Sequence, residues 1–358
     1  PGKMVIEGDY HAGVSVNNTN LSYNEPFAKS GQKQDTAIFY RIDIPYINLS
    51  ALDFDEYLRN KSFEVQEFII SRPEILLDVS NNQKSEGREK GGMQHIFRDI
   101  FVSNFNLMEG HIEFAKYGAK TLAASFSNLS LDAQAFTVKN TASPFSEWVA
   151  KNQVVFEAGQ SNIRLPDSLF RLKSGKIALN SAERKLQIHE TAYLPLYEKY
   201  ELGRVLNIQK TWVKAKNEFI EVQGLDVARL IQHGDIIADF CILEDTKIES
   251  FKDKRLPFDS TRYPKTIQKL IKTASVAVDI DSLEATEVYA QYEHFAEEAD
   301  SAGIIYFTDI NLSADNLTNL DHKLAENIVM HVKASGKVMG EGKLNAQFHF
   351  PMMADSGR

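Results

Sequence analysis

Within "YEHFAEEAD", residues 292–300, His294 and Glu298 stand four apart. On a helix that spacing would set an imidazole and a carboxylate over one turn, where they could share a metal ion. The flanking sequence alternates apolar and polar residues, so a solvated loop between two strands is the expectation here. The nine histidines are otherwise scattered, and no HExxH, GxSxG or phosphate-loop pattern occurs. "MGEGKLNA" at 339–346 carries two glycines and a lysine without phosphate-loop spacing, and reads as a glycine-weakened strand. Cys241, the single cysteine, forbids an intrachain disulfide and a Cys-based zinc cluster. It lies in the apolar run "IIADFCILED" and reads as a buried, inert thiol. With 49 acidic residues, carboxylate pairs can be drawn almost anywhere, so none is singled out as a general acid and base. The sequons Asn48-Leu49-Ser50, Asn128-Leu129-Ser130 and Asn311-Leu312-Ser313 would suit a secreted eukaryotic glycoprotein and carry no meaning in a bacterial one. The expectation is therefore no catalytic residues, no metal ligands and no cofactor.

Composition narrows the partners. A formal charge of −9 and a pI near 5.6 argue against nucleic acid, whose phosphates need clustered Lys and Arg. The basic run "KDKRLPF" at 252–258 is too short to change that. Hydrophobic content of 43% and charged content of 25% are those of a folded globular protein. No stretch approaches the roughly 18 apolar residues of a membrane span, and no signal peptide opens the chain. Pro1 is not a natural start, and the expectation is an excised fragment whose targeting or membrane segment has been removed.

The elements that must position any site are strands. Val276, Val278 and Ile280 alternate in "SVAVDID", as do Val288, Ala290 and Tyr292 in "EVYAQYE", and Leu344, Ala346, Phe348 and Phe350 in "KLNAQFHF". Helical signals are short: 52–60, 143–150, 225–233 and 264–272. The two halves also echo each other. "FSNLSLDA" at 126–133 matches "FTDINLSA" at 307–314, and Leu52-Asp53 and Leu225-Asp226 each open a short helix. The acid-Phe pairs Glu67-Phe68 and Asp239-Phe240 follow, and the Ser-Gly pairs at 174–175 and 335–336 come last. Order is kept while spacing drifts by loop-sized amounts, which suggests a unit of about 170 residues written twice. Within the echoed motif, Phe126 to Leu129 is a three-residue step, whereas Leu129, Leu131 and Ala133 alternate. The second copy has the same step between Phe307 and Ile310. A β-bulge or sharp bend at that step would return all the apolar side chains to one face.

"GIIYFTDINLSADNLTN", preceded by "SVAVDIDSLEATEVYAQYE" and followed by "VKASGKVMGEGKLNAQFHFP", resembles the C-terminal region of the AsmA-like family of bacterial envelope proteins, to which TamB belongs. "FIISRPEILLD", with Pro73 between two strands, is similar to a strand that recurs in their N-terminal parts. The resemblance spans roughly residues 45 to 351 and is strongest from 220 onward. It implies a mainly β fold: an elongated, strongly bent antiparallel sheet, groove-like, with a few short helices and two tandem repeats. It also implies an inner-membrane anchor outside this chain, a periplasmic location, a role in outer-membrane biogenesis, and movement of phospholipid between membranes.

These readings set the expectations. The domain division is residues 1–44 as the end of a preceding β unit or leading strands, 45–200 as the first β repeat and 201–358 as the second, truncated at its C-terminus. The function is non-enzymatic: a lipid-binding and lipid-transport module holding a phospholipid or another acyl-chain lipid in a hydrophobic β-groove. Phe126, Leu129, Leu131, Val276, Val278, Ile280, Phe307, Ile310 and Leu312 are the groove candidates. A structural or adhesive β-sandwich of the cell envelope, carbohydrate-binding or scaffolding, is the alternative, because a closed core also explains alternating strands. A hydrolase with an unrecognised site ranks last, for want of a nucleophile and base.

Overall fold

A computed structural model describes residues 3–7, 12–24, 38–79, 99–115, 122–139, 149, 152–165, 169–258, 266–326 and 328–352. The chain is mainly β and divides into two compact units. Unit 1 is 1–164 with 178–182, and unit 2 is 165–177 with 183–358. The expected boundary at 44/45 falls inside a strand, Ile38–Leu52.

Unit 1 opens with β1 (Lys3–Glu7), β2 (Ala12–Asn24) and β3 (Ile38–Leu52) in antiparallel succession. Helix α1 (Phe54–Asn60) then turns the chain into β4 (Phe63–Ser71) and β5 (Glu74–Val79), which both pair antiparallel with β3. Pro73 marks the break between them, where a ring without an N–H cannot continue a ladder. Next come β6 (Asp99–Ala115), β7 (Leu122–Lys139), β8 (Val154–Ala158) and β9 (Gln160–Arg164). β6 runs parallel to β4 and β5 and antiparallel to β7, which pairs with β8 and β9. Val65 and Val102 are buried among Val14, Leu49, Phe63, Phe68, Ile100 and Phe105.

The chain then forms β10 (Phe170–Ser174), in unit 2, and β11 (Ile177–Asn180). Unit 2 continues with β12 (Lys185–Pro195), α2 (Glu201–Leu206), β13 (Trp212–Gln223), α3 (Val227–His233) and β14 (Ile236–Asp253). After α4 (Ile267–Lys272) come β15 (Val278–Phe295), β16 (Gly303–Thr318), α5 (Asp321–Ala325), β17 (Val329–Val338) and β18 (Gly342–Pro351). From β10 and β12 through β18 each strand pairs antiparallel with the next, except β14 and β15, which are parallel. The sheet in each unit is therefore mixed, a correction to the purely antiparallel expectation. A parallel pair needs a long crossover, and in unit 2 residues 254–277, with α4, supply it.

Helices fall close to three of the four expected places. α1 and α3 match, α4 starts at Ile267, and 143–150 lies outside the described residues except Val149. α2 and α5, each of five or six residues, carry too little periodicity to stand out. α1 and α3 start identically. The Asp53 carboxylate accepts from the Glu56 N–H at 3.0 Å, and Asp226 accepts from the Arg229 N–H at 3.0 Å. Each Asp also donates its own N–H across to the next strand, Asp53 to the Glu64 carbonyl and Asp226 to the Ile237 carbonyl. Such caps satisfy N–H groups that a helix start leaves unpaired. In this frame Phe68 stands level with Cys241, not with Phe240, so the two acid-Phe pairs are one position out of step.

Candidate functional site

The long strands of both units turn over in mid-length. On β6 and β7, Glu109 has φ 55° and Asn128 has φ 50°; on β15 and β16, Glu287 has φ 55° and Asp309 has φ 51°. Register shifts accompany them. In unit 1, Leu107 faces Leu131, Gly110 faces Leu129 and Ile112 faces Phe126. In unit 2, Ala285 faces Leu312, Val288 faces Ile310 and Ala290 faces Phe307. Each strand takes one extra step, so the register is restored while the alternation of faces is inverted. Phe126, Leu129 and Leu131 therefore share one face of unit 1, and Phe307, Ile310 and Leu312 share one face of unit 2. This is the bulge that the three-residue step anticipates.

The same left-handed conformation recurs at one level on neighbouring strands. Asn18 and Arg72 join Glu109 and Asn128 in unit 1, and Glu190 and Asp245 join Glu287 and Asp309 in unit 2. All eight are polar and exposed. The apolar side of the same line is crowded. A Cβ on Gly110 would lie 3.0 Å from Leu107 Cδ2 and 3.3 Å from Leu129 Cβ. One on Gly336 would lie 3.1 Å from the Thr308 carbonyl oxygen and 3.2 Å from Ile310 Cγ1. Close approach recurs on the polar side, where a Cβ on Gly159 would lie 2.9 Å from Asn128 Cβ, so the line of left-handed residues is a tightly packed crease across each sheet. Sequence reasoning found one strand of this crease per unit; the other signal was a polar residue interrupting alternation at mid-strand. Ser335-Gly336 is such a crease position on β17, next to β16. In unit 1 the strands next to β7 are β8 and β9, and they meet at Gly159. Ser174-Gly175 is accordingly not the counterpart of Ser335-Gly336.

On unit 2 the apolar face is continuous across seven strands. Ile188, Ile220, Leu243, Ala285, Leu312, Ala334 and Ala346 form one row on β12 to β18. Beyond the crease, Tyr193, Ala215, Ile248, Ala290, Phe307 and Val338 form another. At a strand spacing near 4.8 Å the row of seven is about 29 Å long and the row of six about 24 Å. Most of these side chains are only half-buried and Ile248 at 37% is exposed, as on the same face are Tyr292 at 37%, Ile305 at 40% and Phe348 at 48%. Near one end of the strands the face closes over Leu324, Met330 and Met352, packed with Ile271, Leu317 and Phe350.

The other groove candidates sit apart from the crease. Ile280, 8% exposed, and Val278 lie at the start of β15, and Val276 precedes that strand, its carbonyl accepting from Asn319 Nδ2 at 2.9 Å. Leu129, 5% exposed, is closed core, unlike its half-buried neighbours Phe126 and Leu131.

The opposite face of unit 2 is polar and charged. Lys247 pairs with Glu249 at 2.9 Å and Lys337 with Asp309 at 2.8 Å. A concavity of about 400 Å³ lies there, its polar lining including Glu284, Asn311, Ser313, Lys333, Asn345 and Gln347. It is shallow, and Ala285, Leu312 and Ala334 of the first apolar row also line it.

The reactive residues stay apart. His294 is on β15, opposite Gly303, and Glu298 is in the following loop, so the helical pairing does not form. Cys241 is buried on the apolar face, and burial pushes its thiol up to about 11, well away from thiolate chemistry at neutral pH. Among the described residues no group of three or more His, Cys, Asp or Glu is placed to hold a metal, and no helix is long and apolar enough to cross a membrane. No protein-family model, curated protein or solved structure matches the chain.

Proposed function

We propose that the creased apolar face of unit 2 binds the acyl chains of a phospholipid or a similar lipid, as a lipid-transfer module of the AsmA-like kind. The observation that carries this reading is the row from Ile188 to Ala346: apolar on every one of seven strands, yet mostly half-buried. A side chain left half in water forfeits part of the 1.5–3 kcal/mol, roughly, that full burial of Val, Leu, Ile or Phe supplies. Extended apolar surface of this kind marks a binding site. A hydrocarbon chain lying across the strands would cover it without needing polar partners. On this reading the protein is non-enzymatic and acts in the periplasm, in a larger protein tethered to the inner membrane.

The polar concavity beside Asn311, Asn345 and Gln347 favours one other reading, a carbohydrate-binding envelope module, since amides suit sugar hydroxyls. One experiment separates the two. Organic extraction of the purified chain, followed by mass spectrometry, should release phospholipid, and the stripped chain should take up a fluorescent phospholipid. No extracted lipid and no uptake, with retention on a glycan array, would replace the lipid reading by the carbohydrate one.

A further inference from the structure

On the polar face of unit 2, His331 of β17 stands directly opposite His349 of β18, and Asp315 of β16 is the next residue in the same cross-strand row. The two rings are nearly perpendicular, 80° apart with centroids at 4.9 Å, and their Nδ1 atoms approach to 2.7 Å. An imidazole nitrogen facing another so closely needs something between them. If both lone pairs point inward they repel, and if both nitrogens carry hydrogens they clash. In the metal-free chain one Nδ1–H donating to the other ring's lone pair resolves this, and a single cation between the two lone pairs would resolve it equally.

We propose that His331 and His349 form a chelating site for a divalent transition metal of tetragonal preference, copper(II) foremost and nickel(II) next. Two nitrogens each about 2.0 Å from a metal lie about 2.8 Å apart at a right-angled bite and about 3.3 Å apart at a tetrahedral one. The observed 2.7 Å is nearer the right angle, which square-planar or tetragonal copper(II) and nickel(II) use and structural zinc does not. The β-ladder holds the pair in register, with Val332–Phe348 and Met330–Phe350 on either side fixing the two backbones. The site is reachable: His349 is exposed and β18 is paired through β17 alone among the described strands. Asp315, held by the Ser282 hydroxyl at 3.2 Å, adds negative charge in line with the pair. Water completes the coordination. The site lies on the side of the sheet opposite the apolar rows, so it does not depend on lipid binding.

The test is titration of the full chain with copper(II) and nickel(II), read by calorimetry and, for copper, by electron paramagnetic resonance. One equivalent should bind with hyperfine structure from two nitrogens. His331→Ala and His349→Ala should each weaken binding at least tenfold, Asp315→Asn less, and His294→Ala not at all. Zinc should bind more weakly than copper. Equal affinity in the wild type and either single variant would overturn the proposal. So would one-nitrogen hyperfine structure in the unmutated chain, a reading that needs no variant to fold.

Discussion

Replacing Leu312 by Asp tests whether the apolar face is open. Leu312 is half-buried between Ala285 and Ala334, two side chains too small to seal it from water. Losing its partial burial costs about 1 kcal/mol, and the poor strand propensity of Asp adds up to about 1 kcal/mol more. The carboxylate reaches solvent, so the several-kcal/mol penalty of an unpaired charge in a dry interior does not apply. The sum is about 2 kcal/mol. For a unit of this size that lowers the melting temperature by about 4–8 °C. Ala314→Asp is the internal comparison: Ala314 lies two residues along the same face but is 4% exposed, and there the full penalty applies. Thermal melting by circular dichroism, beside uptake of a fluorescent phospholipid, reads both effects. Leu312→Asp should remain folded and lose uptake, whereas Ala314→Asp should melt at least twice as far below the wild type. If Leu312→Asp collapses like Ala314→Asp, the face is a closed core; if it folds and keeps full uptake, Leu312 has no part in binding.

Three further outcomes follow from single contacts. Gly336→Ala, which presses a Cβ against the Thr308 carbonyl and Ile310, should destabilise by about 1–3 kcal/mol, while Gly303→Ala, with nothing within 4 Å, should be neutral in urea melts. Asp235 accepts from the Ala277 N–H and from Arg229, and these bonds, the Ala277 amide first, hold its carboxyl below the usual range. A depressed folded pKa stabilises above the unfolded value of about 3.9 and ceases to as pH falls through the folded one; the gap in urea midpoint between wild type and Asp235→Asn should be open at pH 7 and close in that acid range. The Cys241 thiol should resist a disulfide reagent at pH 8 in the native chain and react stoichiometrically in denaturant; native reactivity would contradict its burial.

The strands and the bulge were legible because their signals are local. Period-two alternation marks β15, β16 and β18, and the three-residue steps at Phe126 and Phe307 mark two inversions of face. The asparagine or aspartate just before Leu129 and Ile310 adds to this, since a short polar side chain tolerates left-handed backbone. Elsewhere the crease is hidden. At Arg72 it coincides with a strand break beside Pro73, and at Gly159 with the join of β8 and β9, so neither leaves an uninterrupted pattern to read. The parallel pairing of β14 with β15 was not legible from alternation, because a half-buried strand looks alike in either direction; the clue was the 24-residue connection, 254–277, too long for a hairpin. The histidine pair was missed for the same reason: eighteen residues separate His331 from His349, and only the register of β17 with β18 makes them neighbours.

A one-residue bulge carries every apolar side chain beyond it to the other face unless the sequence inverts its alternation there. Both units invert, at four matched positions, one of them in unit 1 the break between β4 and β5. The offsets between corresponding left-handed residues are 172 (190 − 18), 173 (245 − 72), 178 (287 − 109) and 181 (309 − 128). The offset changes between strands, so the varying part is the connections, while the place of each inversion along its strand is kept. Loops tolerate insertion, because extra length there costs little free energy. A misplaced inversion would carry every later side chain of that strand to the wrong face. Selection on the crease with freedom in the loops would leave this distribution of differences between two descendants of one duplicated unit, and we propose duplication on that ground. It also accounts for the chain repeating a motif with no reactive residue in it: what the motif encodes is the bend that keeps one face apolar along the whole strand.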